Sequence, residues 1–248
     1  MSICTFTQQT AKIRGMAINK TSNQGPAPPR DRDELLQRAW LLAGQTLGQL
    51  AQQFTSESPE HLTNAKGWIG QLLELALGAS AGSRAEQDFQ HLAIELKSIP
   101  INASGQPVES TYVCTVPLQD TYAIQWETSW LKQKLSCVLW IPIEADKHIP
   151  IPQRHIGNPF LWQPNPTQQT ALRQDWEEFM DLICAGRLEE ISAHHGNVLQ
   201  IRPKAASAKS LRNTHNDQGE SVQTLPRGFY LRPAFTQTIL QQHYWSLD

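Results

Sequence analysis

No run of apolar residues in this 248-residue chain approaches the roughly 18–20 that a bilayer-spanning helix requires. The opening stretch Met1–Ala17 also lacks the apolar core of a secretion signal. Neither a helical membrane protein nor an exported one is therefore expected, and a cytoplasmic location is. Cysteine is scarce and scattered, at Cys4, Cys114, Cys137 and Cys184, with no C-x-x-C and no Cys/His pairing at zinc spacing. That pattern excludes a zinc ribbon and a disulfide scaffold and leaves reduced structural thiols. Internal repeats are missing, which excludes a solenoid. An excess of positive charge is missing too, since 21 Lys and Arg stand against 23 Asp and Glu.

The distribution of charge says more than its sum. Residues 1–30 hold Lys12, Arg14, Lys20 and Arg30 with no acid. The stretch 200–233 holds Arg202, Lys204, Lys209, Arg212, Arg227 and Arg232 against Asp217 and Glu220. A polyanion would meet that second region. Acid gathers at Asp175, Glu177, Glu178, Asp181, Glu189 and Glu190, which reads as a solvated helix facing away from it. The neighbours His194 and His195 would face different ways on a helix, so a loop or helix-end role is favoured over a metal site.

Residues 1–32 are rich in Gln, Thr, Asn and Pro and cannot bury a core, so they read as a disordered N-terminal extension, with Met16 as an alternative start. One domain is expected over 33–248. Asp33–Phe54 reads as one helix, and Ser58-Pro59 as the cap and first turn of the next. Ile69, Leu72, Leu73 and Ala76 recur at helical spacing and face a core, while Gly67, Gly70, Gln71, Glu74 and Gly78 share the narrow remaining face. A carboxylate among glycines suggests close packing or a cation there, although a solvated Glu at a helix edge would read alike. Further strands are expected at Tyr112–Val116, Ser136–Ile143 and Val198–Ile201, and helices at Ala171–Leu182 and Thr236–His243.

The chemistry is written in Asp88-Phe-Gln-His-Leu-Ala-Ile-Glu95-Leu-Lys97. Ile94 to Lys97 alternate apolar and polar as a half-buried strand does, so Glu95 and Lys97 project from one face. Asp88 lies far enough upstream to return to the same place after a turn. Two carboxylates and an ammonium would then converge, a set that suits Mg²⁺ and the cleavage of a phosphodiester. Taken alone the spacing is common, and a solvated Glu–Lys pair would read the same way. Helices around a central mixed sheet fit an α/β (α+β) nuclease core.

The blocks KGWIG-x-LLE, LGASAGS, EQDF, IELK-x-IP, WETS, VLWIP, QIRPKAA-x-AK and LPRGFYL extend the pattern from about Asp33 to about His243. Together they resemble the MutH family of methyl-directed mismatch-repair endonucleases. The resemblance implies the PD-(D/E)xK core of type II restriction enzymes, with two lobes around a DNA cleft. By matching position it makes Asp88, Glu95 and Lys97 the metal-and-catalysis triad, with Asp88 and Glu95 as ligands of Mg²⁺ and Glu74 as an additional acid. Gln87 stands where the wider superfamily has proline, a departure that MutH-like proteins share. Lys134, read here as part of a basic turn between strands, belongs by resemblance near the scissile phosphate, although an exposed lysine is the plainer alternative.

The resemblance also implies the reading of hemimethylated GATC in double-stranded DNA, with activation by MutL and MutS and with the chain as a monomer. Lys66, Tyr112, Arg202, Lys204 and Tyr230 become DNA-binding candidates. Major-groove guanine offers acceptors to Lys or Arg. An aromatic ring against adenine N6 would sense a methyl group, and Tyr230 occupies the matching position. Tyr112 is equally readable as an exposed tyrosine at the core edge, and a buried tyrosine in a Gly-Phe-Tyr turn is the bland alternative for Tyr230. Two rivals stay open: a GATC restriction endonuclease, which should self-associate and be encoded beside a methyltransferase, and a DNA-binding recruitment module without chemistry, which should have an altered triad.

Overall fold

A computed structural model describes residues 25–54, 62–80, 86–204 and 211–245, without the side chains of 62–66 and Trp245. The extension up to residue 24, the Ser58-Pro59 cap, the side chain of Lys66 and Lys209 lie outside the described residues. The expected extension ends earlier than residue 32, because the chain from Gly25 onward already packs on the fold. Pro29 is buried. Its carbonyl accepts from the His91 ring at 2.6 Å, and the Arg38 guanidinium donates to Ala27 O at 2.6 Å. A Cβ on Gly78 would meet the carbonyls of Pro26 and Ala27 at 2.7 Å. A chain starting at residue 33 should therefore be less stable than one starting at residue 25 by roughly 2 kcal/mol, having lost a helix cap and buried apolar surface. Urea denaturation of the two truncations tests this, and equal midpoints would return 25–32 to the extension.

The helix expected over Asp33–Phe54 is two helices. Asp31 caps α1 (Arg32–Leu42) by accepting from Glu34 N, and the chain then turns at Gly44, whose φ of 78° suits glycine. Thr46 and Gln49 form a capping box that starts α2 (Leu47–Gln53). The leucine stripe runs through α3 (Leu62–Leu77), which ends as expected at Gly78 with a φ of 76°.

Strand β1 (Glu95–Ile101) pairs in parallel with β3 (Val138–Glu144), and β3 pairs antiparallel with β4 (Phe160–Trp162). This is the expected mixed sheet, three strands wide. Three other strands form a separate antiparallel sheet, in which β8 (Arg227–Leu231) lies between β2 (Thr111–Thr115) and β5 (Leu199–Pro203). The chain between β5 and β8 carries a hairpin of β6 (Arg212–His215) and β7 (Ser221–Thr224). No helix among the described residues is long and apolar enough to cross a membrane.

Strand β3 explains the two-lobed core. Its apolar run alternates between faces, so Leu139, Ile141 and Ile143 pack with α1, α2 and α3. Val138 and Trp140 pack on the other side, with the antiparallel sheet and three further helices, α4 (Trp130–Leu135), α5 (Pro166–Cys184) and α6 (Pro233–Trp245). A strand covered on both faces can be apolar throughout, as β3 is until Glu144.

Two expectations change here. Lys134 sits in the short helix α4, capped by Ser129, and not in a turn between strands. Asp175 is not on a solvated face, because its carboxylate is 2% exposed. One oxygen, Oδ2, accepts from the backbone N–H groups of Asn197, Val198 and Leu199 at 2.8, 2.6 and 2.7 Å. Charge density on paper could not distinguish this buried acid from Glu177, which pairs with exposed Arg173 on the surface.

Candidate active site

Asp88 reaches the strand by a compact reversal. Phe89 is fully buried and bridges to Ile94, a single 3₁₀ turn occupies Gln90–Leu92, and Ala93 takes a left-handed φ of 54°. The chain returns so that Asp88 Oδ2 accepts from Leu96 N at 2.7 Å. Gln87 ties this turn to α4, donating to Gln133 O at 2.8 Å and to Ala93 O at 3.2 Å. A proline could do neither, so the departure at this position has a structural use that spacing did not reveal.

Glu95 and Lys97 share one face of β1, as the period of a strand requires. Glu95 is 1% exposed, and its Oε1 accepts from Lys97 Nζ at 2.5 Å. Lys134 Nζ arrives from α4 and donates to Oε2 at 2.8 Å and to Oε1 at 2.9 Å, with a further bond to Glu86 O at 3.0 Å. It also lies 5.2 Å from the centre of the Trp130 ring. A buried carboxylate is tolerable only when paired, and Glu95 holds two ammonium groups.

Glu74 faces the same cluster from α3. Burial raises its pKa, and the charge of Asp88 raises it further. Asp88 is likewise raised by burial and then by Glu95, against the opposing bond from Leu96. Burial works against the Lys97 ammonium, yet the Glu95 and Asp88 charges outweigh it and its pKa is raised. Three carboxylates and two ammoniums thus form one cluster. Among the described residues no three His, Cys, Asp or Glu side chains stand close enough to form a metal cage by themselves.

Beside the cluster lies the outer face of the antiparallel sheet. Tyr112 on β2 and Tyr230 on β8 are register partners, with ring centres 5.4 Å apart edge to face. Lys204 Nζ sits 3.4 Å above the centre of the Tyr112 ring. The Arg202 guanidinium lies 5.8 Å from the Tyr230 ring and donates to Ser110 Oγ at 2.9 Å. Burial raises the Tyr230 phenol above its usual pKa. Gly228 makes room for the pair, since a Cβ there would come within 2.8 Å of Tyr112 and 3.1 Å of Tyr230. Its place in Pro226-Arg-Gly-Phe-Tyr230 was visible, but its partner ring lies over a hundred residues away.

The two regions touch through Cys114 on β2. Its thiol feels Lys97, Lys134, Glu95 and Lys204, and burial pushes it up to about 12. The spread of cysteines gave no sign of this position. His195 instead faces its own turn, where its Nδ1 accepts from Ser192 N at 3.1 Å, and His194 is exposed.

Every candidate whose side chain is described thus falls either in the acidic cluster or on the neighbouring face. A family model described as DNA mismatch repair enzyme MutH matches residues 77–175, a span that contains Asp88, Glu95, Lys97 and Lys134. The DNA mismatch repair protein MutH of Shewanella amazonensis is 53% identical over 219 residues, covering 88% of this chain and 98% of that protein. Its counterpart in Yersinia enterocolitica is 51% identical, over 88% of this chain and 96% of the relative. That of Yersinia pestis is 50% identical with the same coverage. A likeness of that extent, reaching across both lobes, places this chain in the MutH family of DNA mismatch repair enzymes.

Proposed function

We propose that this chain is the strand-nicking endonuclease of mismatch repair, cutting the unmethylated strand of hemimethylated GATC on the 5′ side of the guanine. The observation that carries the reading is the adjacency of two parts. A cluster of Glu74, Asp88, Glu95, Lys97 and Lys134, half-buried around the fully buried Glu95, lies beside a face carrying Tyr112, Tyr230, Arg202 and Lys204. One part suits phosphodiester hydrolysis and the other a DNA groove. The enzyme would work as a cytoplasmic monomer, activated by MutL within an ATP- and MutS-dependent complex.

The donors fit a hard divalent cation, Mg²⁺. Asp88 commits Oδ2 to Leu96 N, while Oδ1 carries no hydrogen bond among the described residues. Asp88 and Glu95 would hold the ion, and Mg²⁺ characteristically takes one or two carboxylates and completes its shell with water and phosphate. Glu74 stands behind them as a further negative charge. When bound, the cation lowers the pKa of a coordinated water and offsets charge on the phosphate. Lys97 and Lys134 would offer ammonium groups to the charge growing on the phosphate oxygens, and Lys97 would orient the attacking water. Lys204 and Arg202 offer donors to guanine and to phosphates.

Incubating purified protein with unmethylated, hemimethylated and fully methylated GATC duplexes, in Mg²⁺ or in EDTA, tests this. Nicks should fall on unmethylated strands and vanish in EDTA. Cleavage indifferent to sequence or methylation would overturn the reading.

Methyl sensing is proposed for Tyr230. A methyl group on adenine N6 would meet the ring, so Tyr230→Ser should open that space. The preference for the unmethylated strand should shrink by roughly ten- to a hundredfold, equivalent to about 1–3 kcal/mol of lost discrimination. The ratio of initial nicking rates on hemimethylated and fully methylated duplexes measures it. An unchanged ratio returns Tyr230 to packing.

A further inference from the structure

Gln200, on the outer face of the antiparallel sheet, is a polar side chain that the spacing of motifs did not single out. On β5, Leu199 points into the core and is fully buried, while Gln200 and Arg202 alternate with it. In register, Gln200 lies opposite Tyr230, and Tyr230 lies opposite Tyr112. The three make one row across the sheet, leading from β5 to the strand whose Tyr112 and Cys114 border the acidic cluster. At about 4.8 Å between strands the row is roughly 10 Å long, or about three base-pair steps of 3.4 Å.

The neighbours of Gln200 are each held against the face. Arg202 is bonded to Ser110 and lies against Tyr230, and Lys204 sits over Tyr112. The half-buried Gln200 amide makes no side-chain hydrogen bond among the described residues. Its backbone starting point is held firmly. Asp175 gathers the N–H groups of the three preceding residues, and Arg232 donates to the carbonyls of Ala193, His195 and Leu199 at 2.8, 2.8 and 3.1 Å. Base reading needs a donor and acceptor presented from such a fixed frame. A primary amide offers both at once and matches the N6 and N7 pair on the major-groove edge of adenine.

We propose that Gln200 is a specificity-determining residue that contacts an adenine edge in the target site, in the row beside Tyr230. This deepens the GATC reading and rests on it. The test uses the full-length protein, Gln200→Ala and Gln200→Glu, checked for equal thermal melting. Nicking rates are measured in Mg²⁺ on an unmethylated GATC duplex and on four duplexes each altered at one base pair.

Gln200→Ala should slow GATC cleavage by about ten- to a hundredfold and shrink the penalty at one altered A·T position by a similar factor. Gln200→Glu keeps the size but loses the donor, and should behave likewise. The wild type's preference for unmethylated adenine, assigned to Tyr230, should persist in both. An equal fall on all five duplexes, or unchanged penalties at every position, would overturn the assignment. Wild-type protein that cuts all five alike would overturn the GATC reading itself, and this one with it.

Discussion

Glu95→Ala is expected to abolish nicking, with a loss on the order of a thousandfold or more. The buried carboxylate is proposed as a cation ligand and also holds Lys97 and Lys134 in place through bonds of 2.5 to 2.9 Å. Its removal would therefore take away the cation and misplace both ammoniums, and single electrostatic groups in active sites are commonly worth a hundred- to a thousandfold. Asp88→Ala and Lys97→Ala should each lose most activity as well. Binding of GATC duplexes in Ca²⁺ should survive all three changes, because contacts to phosphate elsewhere on the proposed DNA face would supply most of the affinity. The checks are single-turnover nicking rates in Mg²⁺ alongside a binding titration in Ca²⁺. Near-normal cleavage by Glu95→Ala would remove the cation from this cluster.

Asp175→Ala should cost about 3–5 kcal/mol of stability, the largest effect expected away from the active site. One buried oxygen satisfies three consecutive backbone N–H groups. Alanine would leave these donors without a partner where water enters poorly, at about 1–3 kcal/mol for a buried unsatisfied group. Leu199 N, the most deeply placed of the three, should carry the greatest share. Asp175→Asn keeps an oxygen acceptor but loses its charge, so it should fall between alanine and wild type. Urea denaturation monitored by circular dichroism would rank the three. A stable Asp175→Ala protein would mean that the turn at 197–199 finds water or another acceptor. Because the same turn launches β5, the destabilised variants should also bind DNA less tightly at equal folded fraction.

Local periodicity carried much of the candidate site on its own. Glu95 and Lys97 fall on one face because a strand repeats every two residues, whatever packs against it. The leucine stripe of α3, the glycine stop at residue 78 and the both-faced burial of β3 follow from the same short-range rules. The return of Asp88 needed only a turn, and Ala93 and the Phe89–Ile94 bridge supply it. The motif blocks then allowed Glu74, Lys134 and the candidate DNA-binding residues to be proposed by likeness.

What folding alone decided depends on residues distant in the chain. Lys134 meets Glu95 across 39 residues and from a helix, where local composition suggested a turn. The split between α1 and α2 lay in a left-handed Gly44 that a leucine count passed over. Asp175 looked like its exposed neighbours until the 197–199 backbone was seen to close over it. Tyr112, Tyr230 and Gln200 share a row only because strands far apart in the chain pair in one register. A slip of one residue would turn each of those side chains to the other face, and burial of Leu199, Val113, Phe229 and Leu231 is what forbids the slip. The sequence by itself determined which groups could do chemistry and on which side of their own strand or helix they stand. The tertiary structure decided which of them meet, because meeting depends on how the buried faces of separate elements fit together.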